Sequence, residues 1–240
     1  MKYSLLIVLM ATCFFGGCKK TNNISASVLF YNATWSLPSV SAAWNSTDII
    51  TAPLSQGQVS GTADSPYIKV PAGTNLITIK TNASVFIDKN IYATAASGTS
   101  FIFFDTSTVQ SPARMLQLTD DLVVPDTFQL KYRMLNLVPD TSIKIDLWLV
   151  NGTTDSALLD SAGTFIGATA AASSVQTFTA RSYHGGNYTV KIKKTGTEEI
   201  YQSLAAYPFA IKGIYSIIFS GLPNSSGSGF KLSVLRHPAG

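Results

Sequence analysis

The sequence contains few charged residues and few histidines, and each of these scarcities makes some classes of function less plausible. Charged residues make up 12% of the 240 positions, whereas hydrophobic residues make up 46%. Disordered chains show the opposite balance, so this composition predicts a folded protein. The 17 lysines and arginines are scattered, and Lys193-Lys194 is only a doublet. Because a nucleic-acid surface needs a concentrated basic face, we expect no nucleic-acid partner.

The sequence also lacks a hydrophobic run long enough to cross a bilayer. The apolar stretch from Leu5 to Phe15 is shorter than the ~20 residues that a membrane-spanning helix needs. It follows the basic residue Lys2 and precedes the small residues Gly16 and Gly17. A positive residue, a short apolar region and small residues are the layout of a secretory signal peptide.

The residues at the end of this signal carry a more specific indication. Phe15-Gly16-Gly17-Cys18 resembles a bacterial lipobox of the looser Bacteroidetes type, with Phe where Leu is commonest. The resemblance implies that residues 1–17 are removed and that Cys18 carries lipid, which would hold the protein to a membrane. Several acyl chains anchor a protein stably, whereas a single chain does so only marginally. The alternative is a plain secretory signal cut elsewhere, with Cys18 incidental.

Cysteine is otherwise absent from the expected mature chain, since Cys13 lies within the signal. This excludes a disulfide, a cysteine nucleophile and a thiolate metal site. Residues 18–25 are polar after the cysteine and are predicted to form a short lipidated tether. Lys19 to Asn23 contains no acidic residue. By resemblance to lipoprotein sorting signals, the expected location is the outer membrane, on its periplasmic or cell-surface face.

The remaining chain shows the period of strands and no sustained helical period. Tyr188 to Lys193 alternates apolar and polar residues, and Ile143 to Leu149 does the same. Phe101 to Phe104 and Ile214 to Phe219 are short apolar runs that predict buried strands. Gly and Asn turn signals such as Asn151-Gly152 separate these runs. Many short strands between turns predict an all-β sandwich or barrel.

The two halves of the chain have similar sequence patterns, which predicts a tandem repeat. Residues 71–80 match residues 184–193 in pattern, and Ala168 to Ser174 is a candidate insertion in the second half. We therefore predict a first sandwich over residues 26–118, an exposed acidic linker over 119–126 and a second sandwich over 127–240. An asparagine and a tryptophan recur at the same spacing in both halves: Asn32 with Trp44, and Asn136 with Trp148.

The second half also resembles a known repeat family. Ile145 to Gly152, followed after a gap by Gly186 to Val190, is similar to the "domain of unknown function 4397" repeat. Such repeats occur in tandem in secreted bacterial proteins and lipoproteins. The resemblance implies two tandem immunoglobulin-like antiparallel β-sandwich domains and implies no established activity. In the first half, Val40 to Ser46 departs from the strict alternation of the motif.

Catalytic and metal-binding groups are scarce. Of the two histidines, His184 falls in a predicted turn and His237 near the C-terminus, and no G-x-S-x-G pattern accompanies them. A hydrolase using His184 is therefore an alternative, with a solvated turn histidine the favoured interpretation. Asp120-Asp121 with Asp126 could bind calcium, although no EF-hand spacing occurs and a linker is favoured. Glu198-Glu199 is interpreted as a strand or turn edge. We expect no cofactor and no metal.

Trp148 is the one candidate binding residue. It shares its parity with Lys144 and Asp146, so alternation points it away from the apolar core. An outward tryptophan can stack on a sugar or anchor a protein partner, or it can pack at the junction of the repeats, which is favoured. For Trp35 and Trp44 the core is the expected place.

Two triplets, Asp155-Ser156-Ala157 and Asp160-Ser161-Ala162, resemble the acceptor for Bacteroidetes O-glycosylation, which would place residues 151–163 in an exposed loop.

These observations predict a non-catalytic lipoprotein of the cell envelope that acts as a binding or structural module. Its partners would be the membrane, through the lipid on Cys18, and an envelope protein or a surface glycan. The first alternative is a carbohydrate-binding accessory lipoprotein of a polysaccharide-uptake system that uses Trp148. The hydrolase is the second.

Overall fold

The computed structural model describes residues 24–62, 65–81, 84–106, 114–152, 155–166, 177–222 and 229–238. This part of the chain is almost entirely β-strand and contains no α-helix, so the all-β prediction is confirmed. Cys18 and the candidate insertion at 168–174 lie outside the described residues.

The first half folds into two sheets. Its strands are β1 (Ser25–Asn32), β2 (Ser39–Trp44), β3 (Thr47–Asp48), β4 (Leu54–Ser55), β5 (Ile68–Pro71), β6 (Gly73–Thr81), β7 (Ser84–Ala93), β8 (Gly98–Phe104) and β9 (Arg114–Asp120). One sheet has the order β5-β1-β8-β9, and the other has the order β3-β2-β6-β7 with β4 also paired to β2.

The second half repeats this arrangement. Its strands are β10 (Gln129–Asn136), β11 (Ile145–Asn151), β12 (Asp155–Gly163), β13 (Thr179–Ser182), β14 (Gly186–Lys194), β15 (Ile200–Phe209), β16 (Ile214–Gly221) and β17 (Phe230–His237). The sheets have the orders β13-β10-β16-β17 and β12-β11-β14-β15. In each half the first strand pairs in parallel with a late one, β1 with β8 and β10 with β16, whereas the other pairs are antiparallel.

The burial of each strand explains its sequence pattern. β14 buries every second residue, because one face packs on the core and the other meets solvent. β8 and β16 are buried along their whole length. Phe101 and Phe103 on β8 pack into the core of the first half, while Ile102 and Phe104 point to the opposite face. The sequence of a strand that is covered on both faces is a continuous run of apolar residues.

Three apolar clusters hold four sheets together. One lies between the two sheets of the first half, around Phe30, Trp44 and Phe101, and a second lies between the two sheets of the second half. The third joins the halves: it packs side chains of β1, β8 and β9 against side chains of β10 and β16. The sheets containing β1 and β10 therefore face each other, and the other two sheets lie outermost.

A buried asparagine has the same role in each half. The side-chain amide of Asn32 donates to the carbonyl of Leu54 at 2.9 Å, and that of Asn136 donates to the carbonyl of Ile143 at 3.0 Å. Each Oδ1 accepts the backbone N–H two residues further along, at 3.0 and 3.1 Å. Because buried backbone groups need partners, these asparagines satisfy carbonyls where the parallel-paired strands β1 and β10 end.

Trp44 and Trp148 do not occupy equivalent positions in the two halves, so the correspondence predicted from their spacing is wrong. β6 and β14 correspond along their nine residues, and Ile77 and Val190 are each the fifth. Ile77 pairs with Trp44, whereas Val190 pairs with Leu149 and not with Trp148. The match is shifted by one residue, which moves the side chain to the other face of the sheet. Trp44 is accordingly buried, as predicted for this residue.

Two predicted loops also need correction. The linker was placed at 119–126, but β9 continues through Thr119 to Asp120, and Asp120 is buried. Pro125, predicted to be exposed, is buried as well. Residues 155–163, predicted as a loop, form the edge strand β12, whose side chains from Ala157 to Ala162 are mostly exposed.

Candidate functional site

A group of buried polar side chains lies where the two halves meet. We call it the junction network; it consists of Tyr67, Ser100, Asp120, Arg133, Ser216 and His237. The first three belong to the first half and the others to the second. Asp120, Arg133 and His237 are at most 5% exposed. Buried charges are rare unless they are paired, so this group needs a physical account.

The centre of the network is an ion pair between the halves. Arg133 Nη2 lies 2.7 Å from Asp120 Oδ1, although its N–H is not directed at that oxygen. Arg133 Nε donates to Ser216 Oγ at 2.7 Å, and Nη2 donates to Ser100 Oγ at 3.2 Å. The ring of Phe178 lies 4.5 Å from the guanidinium carbon. The charge of Arg133 is thus balanced by a carboxylate of the other half and shielded by an aromatic face.

The hydrogen bonds fix the protonation of His237. An ionised Asp120 only accepts, so Tyr67, which lies 2.7 Å from Oδ2, donates its single proton to it. The Tyr67 oxygen must then accept from His237 Nδ1, also at 2.7 Å. Nε2 carries no proton in the neutral ring and accepts from Ser216 Oγ at 2.7 Å. Both ring nitrogens of His237 are therefore satisfied with a neutral imidazole, whereas Asp120 Oδ1 and Arg133 Nη1 have no hydrogen-bond partner among the described residues.

Burial sets the titration of this site. Removal from solvent lowers the pKa of His237 to about 4, with Asp120 opposing and Arg133 assisting. Burial and the neighbouring Asp120 carboxylate raise the pKa of Tyr67 well above its usual range. At neutral pH we therefore assign an uncharged histidine and an uncharged tyrosine beside the one ion pair.

The arrangement contains a serine, a histidine and a carboxylate, but it does not suit nucleophilic catalysis. Ser216 is fully buried, and a substrate carbonyl could not reach its hydroxyl. A general base works best with a pKa near the working pH, which that of His237 is not. The described part of the chain shows a cavity of about 490 Å³ beside residues 49–61 and one of about 290 Å³ beside β10. Neither is lined by Ser216 or His237.

Trp148 lies on the outer face of the sheet formed by β12, β11, β14 and β15, away from the junction. It pairs with Leu158 on one side and with Lys191 on the other. Its ring is partly buried, and Lys193 Nζ lies 4.6 Å from the ring centroid while also pairing with Glu198 at 2.5 Å. The side chain points outward, as the alternation predicts, but the junction packing expected for it is made by other residues.

The remaining sequence candidates lie apart from one another. His184 is exposed in the turn between β13 and β14. Of the three aspartates considered as calcium ligands, Asp120 is buried and paired with Arg133, whereas Asp121 and Asp126 are exposed. Glu198 is one of two exposed glutamates between β14 and β15 that pair with neighbouring lysines. No cluster of three metal-ligating side chains occurs among the residues described.

No protein-family model and no curated protein matches the chain. Within the described residues no helix has the length and apolar character to cross a membrane.

Sequence reasoning missed the junction network. Its members are spread from Tyr67 to His237 and have no fixed spacing, and the position of His237 near the C-terminus gives no indication of burial. The sequence gives only a weak signal: Ser216 interrupts the apolar run of β16, whereas Arg133 shares its face of β10 with Gln129 and Lys131 and so fits a solvent-exposed position by alternation. A polar residue inside a buried strand predicts a partner, although it does not identify that partner.

Proposed function

We propose that the protein is a non-catalytic lipoprotein of the cell envelope, held to the outer membrane by lipid on Cys18, and that it serves as a binding or structural module. The observation that carries the proposal is the lipobox-like Phe15-Gly16-Gly17-Cys18, which ends six residues before Ile24. A folded body with its chemistry-bearing side chains buried at an internal junction supports a structural role. The shared topology of the halves supports repeats of the "domain of unknown function 4397" type.

Lipidation is the first point to test. Cells expressing the full-length protein are grown with an alkyne-bearing palmitate, and the protein is examined by in-gel fluorescence and detergent phase partitioning. We expect label and detergent partitioning for the native sequence and for Cys13→Ser, because Cys13 lies in the cleaved signal. The Cys18→Ser variant should lose both, since the acceptor thiol is gone. Equal label in Cys18→Ser would contradict the proposal.

A carbohydrate-binding accessory role remains the first alternative, supported by an outward-facing tryptophan on a sheet surface. The Lys193 ammonium already occupies one position over the ring at 4.6 Å, so a sugar stacking there would have to displace it. We expect no binding of soluble glycans on an array, and equal signals for the native protein and Trp148→Ala. A glycan bound by the native protein and lost in Trp148→Ala would favour the alternative.

A hydrolase using His184 is the weaker alternative, because His184 lies in an exposed turn between β13 and β14. Hydrolytic activity that is present in the native protein and abolished in His184→Ala would support it.

A further inference from the structure

The two halves present corresponding loops at one end of the molecule, and the N-terminal tether enters there. β1 and β10 both begin at this end: Lys131 Nζ, near the start of β10, contacts Asp121 Oδ2 and the carbonyl of Val123, both at 2.7 Å. The opposite end is marked by Lys231 Nζ, which donates to the carbonyl of Gln56 at 2.8 Å. We call the first the tether end; it consists of Ile24, Tyr92 and residues 71–73, 94–97, 121–128, 183–186 and 210–213.

The tether end carries an unusual number of exposed apolar side chains. In the described part of the chain, three large exposed apolar residues lie elsewhere: Val85, Leu158 and Ile200. Six lie at the tether end: Ile24, Tyr92, Val123, Val124, Phe128 and Ile211. Val123 is 71% exposed and Tyr92 66%. Single exposed apolar residues are ordinary, but a concentration at one end indicates an interaction surface.

Phe128 adds an independent observation. Its φ is 62°, in the left-handed region that favours glycine and asparagine and is unusual for an aromatic residue. Its side chain is nevertheless 58% exposed. A bulky aromatic in a strained turn gains nothing for the fold when its ring lies in water, so a contact outside the chain accounts for it better.

The occupant of this surface follows from the position of Cys18. Cys18 precedes Ile24 by six residues, and six residues span at most about 20 Å even when fully extended. Lipid on Cys18 would therefore keep the tether end against the bilayer. Apolar and aromatic side chains at the end of a polar protein partition into the interfacial layer of a membrane.

We propose that the tether end is a membrane-docking surface, whose exposed side chains Val123, Phe128 and Ile211 insert into the interfacial layer of the bilayer that holds the Cys18 lipid. The inference rests on the proposed lipidation. It assigns the body a fixed orientation, with the tether end facing the bilayer and the opposite end, marked by Gln56 and Lys231, facing away from it.

The experiment uses single reporter cysteines, which is practical because Cys13 and Cys18 are the only cysteines in the sequence. Full-length lipidated Val123→Cys and Val85→Cys proteins are labelled with an environment-sensitive fluorophore and reconstituted in phosphatidylcholine vesicles that contain nitroxide-bearing lipid. Both sites hold an exposed valine, but Val85 lies at the start of β7, at the opposite end. We expect the Val123 probe to lose most of its fluorescence and the Val85 probe to keep it.

The outcomes separate the two proposals. If the protein does not float with the vesicles, lipidation itself fails. If it floats and both probes remain unquenched, the anchor stands and the docking surface is wrong. Because the vesicles contain no other protein, a probe at Val123 that is shielded only in native membranes would also overturn lipid docking, in favour of a protein partner. A Phe128→Gly variant, which relieves the turn, should fold and show weaker quenching at position 123.

Discussion

Replacing Arg133 with methionine is expected to lower the free energy of unfolding by about 3–5 kcal/mol, because removing one member of a buried ion pair leaves the other charge uncompensated. Arg133 and Asp120 are both almost fully buried, and their nearest side-chain atoms are 2.7 Å apart. The substitution also removes the donors to Ser100 and Ser216. Urea unfolding followed by tryptophan fluorescence and by circular dichroism would measure the loss.

Two further variants make this prediction specific. Lys194→Met breaks an ion pair to Glu199 whose side chains are both about half exposed, and it should cost less than ~1 kcal/mol. Combining Arg133→Met with Asp120→Asn should recover part of the loss, since the amide is uncharged but still accepts from Tyr67 and Ser100. If Arg133→Met were as mild as Lys194→Met, the junction would not depend on this ion pair.

Acid is expected to destabilise the protein through His237 before most carboxylates titrate. The pKa of His237 is about 4 in the folded protein, and an unfolded histidine titrates near ~6.5. Between these values the unfolded chain binds a proton that the folded protein does not, so stability falls as the pH drops from about 6.5 towards 4. A difference of about 2.5 pH units corresponds to roughly 3 kcal/mol. Urea unfolding at pH 7 and at pH 4.5 would show most of this loss.

The histidine variants assign that loss to one side chain. His237→Gln should show a smaller change between pH 7 and pH 4.5, because glutamine does not titrate. His184→Gln should change as the native protein does, since His184 is exposed. Burial also raises the pKa of Asp105, but that carboxyl is present in every variant and cancels in the comparison. Identical pH dependence in the native protein and His237→Gln would refute the assignment.

The sequence allowed the strands to be predicted because their pattern is local. Alternation identifies β14, and the apolar runs identify β8 and β16, since each reflects which faces of a single strand are covered. The repeat was visible for the same reason. The one-residue error between Trp44 and Trp148 shows the limit: a spacing in sequence does not fix register, which depends on the partner strand.

The junction could not be predicted because it depends on which surfaces of the two halves meet. Asp120 was interpreted as part of an exposed linker, since acidic residues near a proline suit such a segment. The structure extends β9 by two residues and places the carboxylate opposite Arg133, where burial is compensated. For Trp148, the alternation of the strand predicts that the side chain points outward. Its contacts with Leu158 and Lys193 depend on which strands pair in the sheet, and the sequence does not predict them.

The parallel pairing of the first strand of each half also determines when that half can fold. β1 needs β8, which the chain supplies about 70 residues later, and β10 needs β16 after about 80. Sheets built on such distant pairs fold slowly, because a long loop must close before the contacts form. A chain emerging N-terminus first would thus expose the apolar residues of β1 until most of the first half had followed.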